Sequence, residues 1–159
     1  MPQTLLSLLA LVLTSLFAFN TQQRSAASSR ELQRSEIEVV MAGVAEGTFD
    51  QLADMPFDAN AAATQASDLT APGSFGGRTW ALATDLDDVD DATMQVARTV
   101  GSSTLTVSVT AQVDYVVKQG TVYVNSPSTR QLFKRVTLTL TGPLGATAVL
   151  QRVYALDGL

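Results

Sequence analysis

The chain has 159 residues, enough for one domain of ordinary size or a small domain with an extension. Hydrophobic residues make up 46% and charged residues only 16%, which excludes a disordered acidic tail. A formal charge of -5 argues against a basic nucleic-acid face, and the absence of cysteine and histidine removes disulfides, thiolate metal sites, Cys nucleophiles and every Ser-His triad. An enzyme would have to work with carboxylates, Lys118, Lys134, tyrosines and hydroxyls, and no spacing singles out a pair. No catalytic residue and no organic cofactor is therefore expected.

The first charged residue is Arg24. Before it, Thr4-Leu-Leu-Ser-Leu-Leu-Ala-Leu-Val-Leu-Thr-Ser-Leu-Phe-Ala-Phe19 is apolar, and the uncharged stretch of about 23 residues would cover ~35 Å as a helix. Three readings fit it. It can be a secretory signal peptide, with Ser25-Ala26-Ala27-Ser28 as a cleavage site, although a basic n-region is missing. It can be a membrane anchor, with Arg24, Arg30 and Arg34 following it. Or it can begin a chain whose basic leader has been removed.

The following segment favours a retained helix. Residues 24–55 contain no proline, and apolar side chains recur at Ile37, Val40/Met41, Val44/Ala45, Phe49, Leu52 and Met55. Steps of three and four mark an amphipathic helix, and Pro56 ends it. Together the two segments make one helix of about 50 residues, ~75 Å long, which a domain of this size cannot enclose. The apolar half must enter a membrane or a bundle of its own copies. Ser7, Ala10, Thr14 and Ala18 provide the small residues that let helices approach.

Residues 56–103 are rich in Ala, Ser, Thr, Asp and Gly and read as an irregular connection, pinned to the domain by Phe57, Phe75, Trp80 and Leu82. Within it, Asp85, Asp87, Asp88, Asp90 and Asp91 crowd five carboxylates into seven residues. Two readings compete. The sharper is a calcium loop with Asp85, Asp87 and Asp91 as ligands, since calcium collects loop carboxylates. The plainer is a solvated acidic loop.

From Thr104 the period becomes two. Leu105, Val107, Val109, Ala111, Val113, Tyr115 and Val117 share one strand face. Short strands follow at 121–125, 132–141 and 147–156, with Leu132, Val136, Leu138 and Leu140 inward on the 132–141 strand. The pattern predicts an α+β fold: a long N-terminal helix whose second half packs on an antiparallel sheet of about four strands. Val44, Phe49 and Leu52 are expected under Val107, Val109, Val113, Val136 and Leu138. The divisions are residues 1–23 (apolar half-helix), 24–55 (amphipathic half), 56–103 (connection) and 104–159 (sheet).

This order of elements resembles type IV pilins and pseudopilins, across the whole chain. Phe49-Asp-Gln-Leu-Ala-Asp-Met-Pro-Phe-Asp58 is similar to the helix end of minor or MSHA-type pilin-like proteins. Asp85-Leu-Asp-Asp-Val-Asp-Asp91 resembles their acidic segment, and Lys134-Arg-Val-Thr-Leu-Thr-Leu-Thr-Gly-Pro143 their penultimate strand and turn. The family begins with a short basic leader ending in glycine, which these residues do not include. It also usually carries a glutamate where this chain has Leu5. The resemblance implies a structural subunit that sits in the inner membrane before assembly and then packs into an extracellular filament on the cell surface, a fimbrium serving functions such as cell adhesion. The partners implied are copies of itself and, beyond them, surface or host ligands.

The expected assembly residues are Leu5, Leu8, Leu9, Val12, Leu13, Leu16 and Phe17, together with Arg30 and Arg34 of one subunit facing Glu46 and Asp50 of the next. The alternative is a membrane-anchored or secreted envelope protein whose sheet is a binding module.

Overall fold

The computed structural model describes residues 2–76, 78–100 and 102–156. A single helix, α1 (Pro2–Ala53), is followed by a five-stranded antiparallel sheet: β1 (Thr93–Val100), β2 (Ser103–Gln119), β3 (Val122–Asn125), β4 (Phe133–Thr141) and β5 (Thr147–Ala155). The fold is α+β, as the pattern predicts. The chain divides into two compact units, residues 1–37 and 38–159.

In the first unit the helix is apolar as far as Phe19, and the hydroxyls of Thr14, Ser15 and Thr21 turn to its own backbone. Thr14 Oγ1 donates to the Ala10 carbonyl at 2.7 Å, Ser15 Oγ to Leu11 at 2.8 Å and Thr21 Oγ1 to Phe17 at 2.8 Å. Such bonds satisfy these three hydroxyl donors without water.

In the second unit, Met41, Val44, Ala45, Phe49 and Leu52 of α1 are buried, at the expected steps of three and four. The strands are ordered β1-β2-β4-β5. Val109 opposes Leu140, Ala111 opposes Leu138, Val113 opposes Val136 and Tyr115 opposes Lys134. All eight are buried and share one face. Ala148, Leu150, Arg152 and Tyr154 extend that face onto β5. The helix docks on it: Tyr154 Oη donates to the Phe49 carbonyl at 3.0 Å, and the Arg152 guanidinium lies 4.7 Å from the Phe49 ring centre. Val44, Phe49 and Leu52 thus belong to the same core as the expected strand residues.

The sheet begins at Thr93 rather than Thr104, with β1 as an additional strand. β1 hairpins onto β2, Val100 opposite Ser103. Its apolar face is interrupted by Arg98 and its side chains are largely exposed, so the alternation that marks the inner strands is faint here. Of the aromatic and aliphatic pins, Phe57 and Trp80 are buried and Phe75 stacks on Tyr115 with ring centres 5.0 Å apart, but Leu82 is exposed. Leu82 ends a single 3₁₀ turn, Trp80–Leu82, which directs Trp80 inward and Leu82 to solvent.

β1 and β3 lie along the same edge of β2, since β4 occupies the other edge. The stretch of β2 between them is completed by non-strand groups. Ala111 N–H donates to the Ala92 carbonyl at 3.1 Å, Val113 N–H to Asp90 Oδ1 at 2.7 Å, and the Tyr115 carbonyl accepts from Ser126 N–H at 2.8 Å. The acidic segment therefore closes an edge that would otherwise expose unpaired backbone.

Candidate functional site

Two features of the structure are candidates for chemistry or association. The first is the N-terminal unit. Leu8, Leu9, Val12, Leu13, Leu16 and Phe17, all expected as packing residues, are exposed, together with Leu6, Leu11 and Phe19; Phe17 reaches 77%. The Leu5 side chain lies outside the described residues. The helix is long and apolar enough to cross a membrane. Continuous apolar surface on every side of a helix is the signature of a segment that works in lipid or among like helices.

Arg30 and Arg34 are exposed on this helix. Glu46 and Asp50, their expected counterparts on a neighbouring subunit, already hold a cation within the chain. Arg152 of β5 donates to Glu46 at 2.8 Å and to Asp50 at 3.4 Å. The i, i+4 stacking of like charges on α1 thus has an intramolecular explanation: the two acids straddle one guanidinium.

The second feature is the acidic segment and what it faces. Asp85 is buried, and its Oδ1 accepts from Asp87 N–H at 2.9 Å and Asp88 N–H at 3.3 Å, capping the short turn Asp87–Val89. Asp88 Oδ2 accepts from Thr84 N–H at 3.1 Å and from Thr84 Oγ1 at 2.8 Å, with Arg78 3.6 Å away. Asp90 binds the edge of β2, and Asp91 is exposed with φ 56°. The segment is neither an open acidic loop nor a shared cage. Asp85, Asp87 and Asp91 address three different places, and among the described residues no three acidic side chains converge to hold a cation. Gly76 seats the segment. Its φ is +79°, its N–H donates to the Asp87 carbonyl at 2.8 Å, and a Cβ there would stand 3.1 Å from the Asp90 carbonyl oxygen.

Asp87 turns inward onto Lys134. This lysine is in phase with Val136, Leu138 and Leu140 on β4, and its side chain is fully buried. Nζ lies 2.5 Å from Asp87 Oδ1, 3.0 Å from Asp58 Oδ2 and 2.5 Å from the Phe57 carbonyl oxygen. The rings of Phe57, Phe75 and Tyr115 surround it at 4.3, 5.3 and 5.3 Å. Tyr115 Oη donates to the Thr70 carbonyl at 2.8 Å and stands 3.5 Å from Asp58 Oδ2.

No protein family, curated protein or solved structure matches the chain.

The two carboxylates of the cluster differ in environment. Burial pushes Asp58 up, but N–H donors from Thr70 and Asn60 and the Lys134 ammonium outweigh it, and its pKa falls to about 2. Burial dominates at Asp87. Lys134 offsets it only in part, neither Asp87 oxygen accepts an aligned hydrogen bond, and its pKa rises to about 7. One acid is held ionised and the other is poised between its two forms beside a buried amine.

Sequence reasoning missed this cluster. The signal was present in the strand period, which puts Lys134 on the inward face two residues before Val136. Its acids lie 76 and 47 positions away along the chain, so no local spacing links the three.

Proposed function

We propose that the chain is a structural subunit of a type IV pilus-like or pseudopilus filament, with the N-terminal helices of many copies packed in the core and the α+β domains outside. The observation that carries this reading is the exposed apolar helix of the first unit, including Leu9, Leu13 and Phe17. A helix apolar all round has no stable place in water, and the domain's own core is already built from Met41, Val44, Phe49 and Leu52. The α+β order of a long helix followed by an antiparallel sheet supports the same reading. Before assembly the helix rests in the inner membrane; afterwards copies replace lipid around it. Burying one leucine in this way contributes about 2 kcal/mol relative to water, which keeps the helix among apolar neighbours at every stage.

The test is electron microscopy of material sheared from cells making the protein with an epitope tag in the β2–β3 turn. Gold-labelled helical filaments are expected. Label confined to membrane fragments, with no filament, would instead support the anchored binding module.

A further inference from the structure

We propose that Lys134 and Asp87 condense to an intramolecular amide, with Asp58 as the catalytic carboxylate, so that the mature domain carries a covalent bridge between β4 and the acidic segment. Four observations meet here. The amine and the carboxyl touch, Nζ to Oδ1 at 2.5 Å, closer than an ordinary ammonium–carboxylate pair. Both are almost wholly buried, with side-chain exposures of 0% and 5%. Neither oxygen of Asp87 has an aligned hydrogen-bond donor, and Lys134 offsets the burial of the carboxyl only in part. A second carboxylate, Asp58, accepts a hydrogen bond from the same nitrogen at 3.0 Å and can take its proton.

The step balances without an added reagent. Asp58 removes one proton from the Lys134 ammonium, and the freed lone pair attacks Cγ of protonated Asp87. The Nζ–Cγ bond forms and the bond from Cγ to the hydroxyl breaks. Of the ammonium's three protons, one stays on the amide nitrogen, one leaves with the hydroxyl as water, and one ends on Asp58. No redox change occurs. Holding the two groups in contact supplies the effective concentration that condensation lacks in free solution, and the surrounding Phe57, Phe75 and Tyr115 rings keep water from reversing it. Burial favours the neutral acid, its reactive form, and Asp87 already holds its proton up to about pH 7.

The bridge would also do for this chain what disulfides do elsewhere. The protein has no cysteine, and its acidic segment closes a sheet edge. A covalent tie from that segment to a central strand keeps the edge closed under load.

The decisive experiment is peptide mapping of the full-length protein in detergent, with its sheet content checked by circular dichroism in the same sample. Trypsin does not cut after an acylated lysine. The expected product is therefore Gln131-Leu-Phe-Lys-Arg135 joined to residues 79–98 and lighter than the sum of the two peptides by one water. Lys134→Arg should give the separate peptides, and folded Asp58→Asn should give them too, or join them far more slowly. A folded wild-type protein that releases the two peptides unjoined overturns the proposal, as does a bridge to residues 35–78, which would make Asp58 the acylated partner. A bridge that forms at the wild-type rate in Asp58→Asn overturns the role given to Asp58.

Discussion

Arg152 on β5 holds Glu46 on α1 at 2.8 Å, and the same guanidinium lies over the Phe49 ring one helical turn further on. The pair ties the helix to the last strand of the sheet from outside the core, while Tyr154 bonds the Phe49 carbonyl beside it. Glu46 is 62% exposed, so the ion pair itself is worth only ~0–1 kcal/mol. Arg152→Ala is expected to lose that and the packing of its stem on Phe49, and Glu46→Arg to place two cations together. Thermal melts should show a small loss for the first and a clear loss for the second, with Glu46→Arg/Arg152→Glu recovering stability. If Glu46→Arg leaves the melt unchanged while reducing filament yield, Glu46 serves neighbouring subunits instead.

Phe49 is 2% exposed, with the Arg152 guanidinium 4.7 Å from its ring centre. Phe49→Ala should lower the unfolding free energy by about 3–5 kcal/mol. Chemical denaturation of the full-length protein in detergent measures it; an unchanged midpoint would mean that α1 does not cover the sheet.

Lys134→Met removes the cation that contacts both Asp58 and Asp87. Relative to the unbridged form, breaking a buried pair by deleting one partner costs roughly 3–5 kcal/mol, because the remaining charge loses its partner. Lys134→Met/Asp58→Asn/Asp87→Asn leaves no charge in the cluster and should regain a substantial part of it. Denaturation midpoints of the two variants check this. Equal midpoints would show that the loss comes from packing rather than from stranded carboxylates.

The pH dependence follows from the raised Asp87. In the unbridged form its folded pKa, about 7, exceeds the ordinary 3.8, so the folded state binds the extra proton between these values. Its stabilising contribution is complete below about pH 4 and is lost as pH rises to about 7, by up to ~1.4 kcal/mol per unit. Asp58, depressed to about 2, acts oppositely: its contribution is present above 3.8 and lost as pH falls toward 2. The Asp58→Asn variant isolates the first effect, since burial, the largest cause at Asp87, is retained there. Its unfolding free energy should decline from pH 4 to 7. A flat or rising profile would contradict the assigned environment of Asp87.

The long helix and four of the five strands are legible in the sequence because their signals are local and periodic. The steps from Met41 to Leu52 and the alternation from Leu105 to Val117 name their own faces. β1 is not, because Arg98 breaks its alternation and its stability comes from pairing with β2 rather than from burial. The acidic segment shows the same limit more sharply. Five neighbouring carboxylates suggest solvent or a cation when read along the chain. In the fold each is spent separately: Asp85 on its own turn, Asp87 on Lys134, Asp88 on Thr84 and Asp90 on Val113, with Asp91 left at the surface. Partners brought together by the fold decide what such groups do, and the single hint was the parity of Lys134.

The absence of native cysteine allows the association of the helices to be read residue by residue. Leu6, Leu9, Leu13 and Phe17, replaced one at a time by cysteine, can be treated with a bifunctional thiol reagent spanning the ~10 Å between packed helices. Membrane and sheared fractions are then separated on a denaturing gel. The account predicts covalent dimers from at least one position in the sheared, assembled fraction, and none from cysteine at Val149, an exposed position on the domain's outer face. Monomer at every helix position in assembled material would contradict a filament core built from these helices.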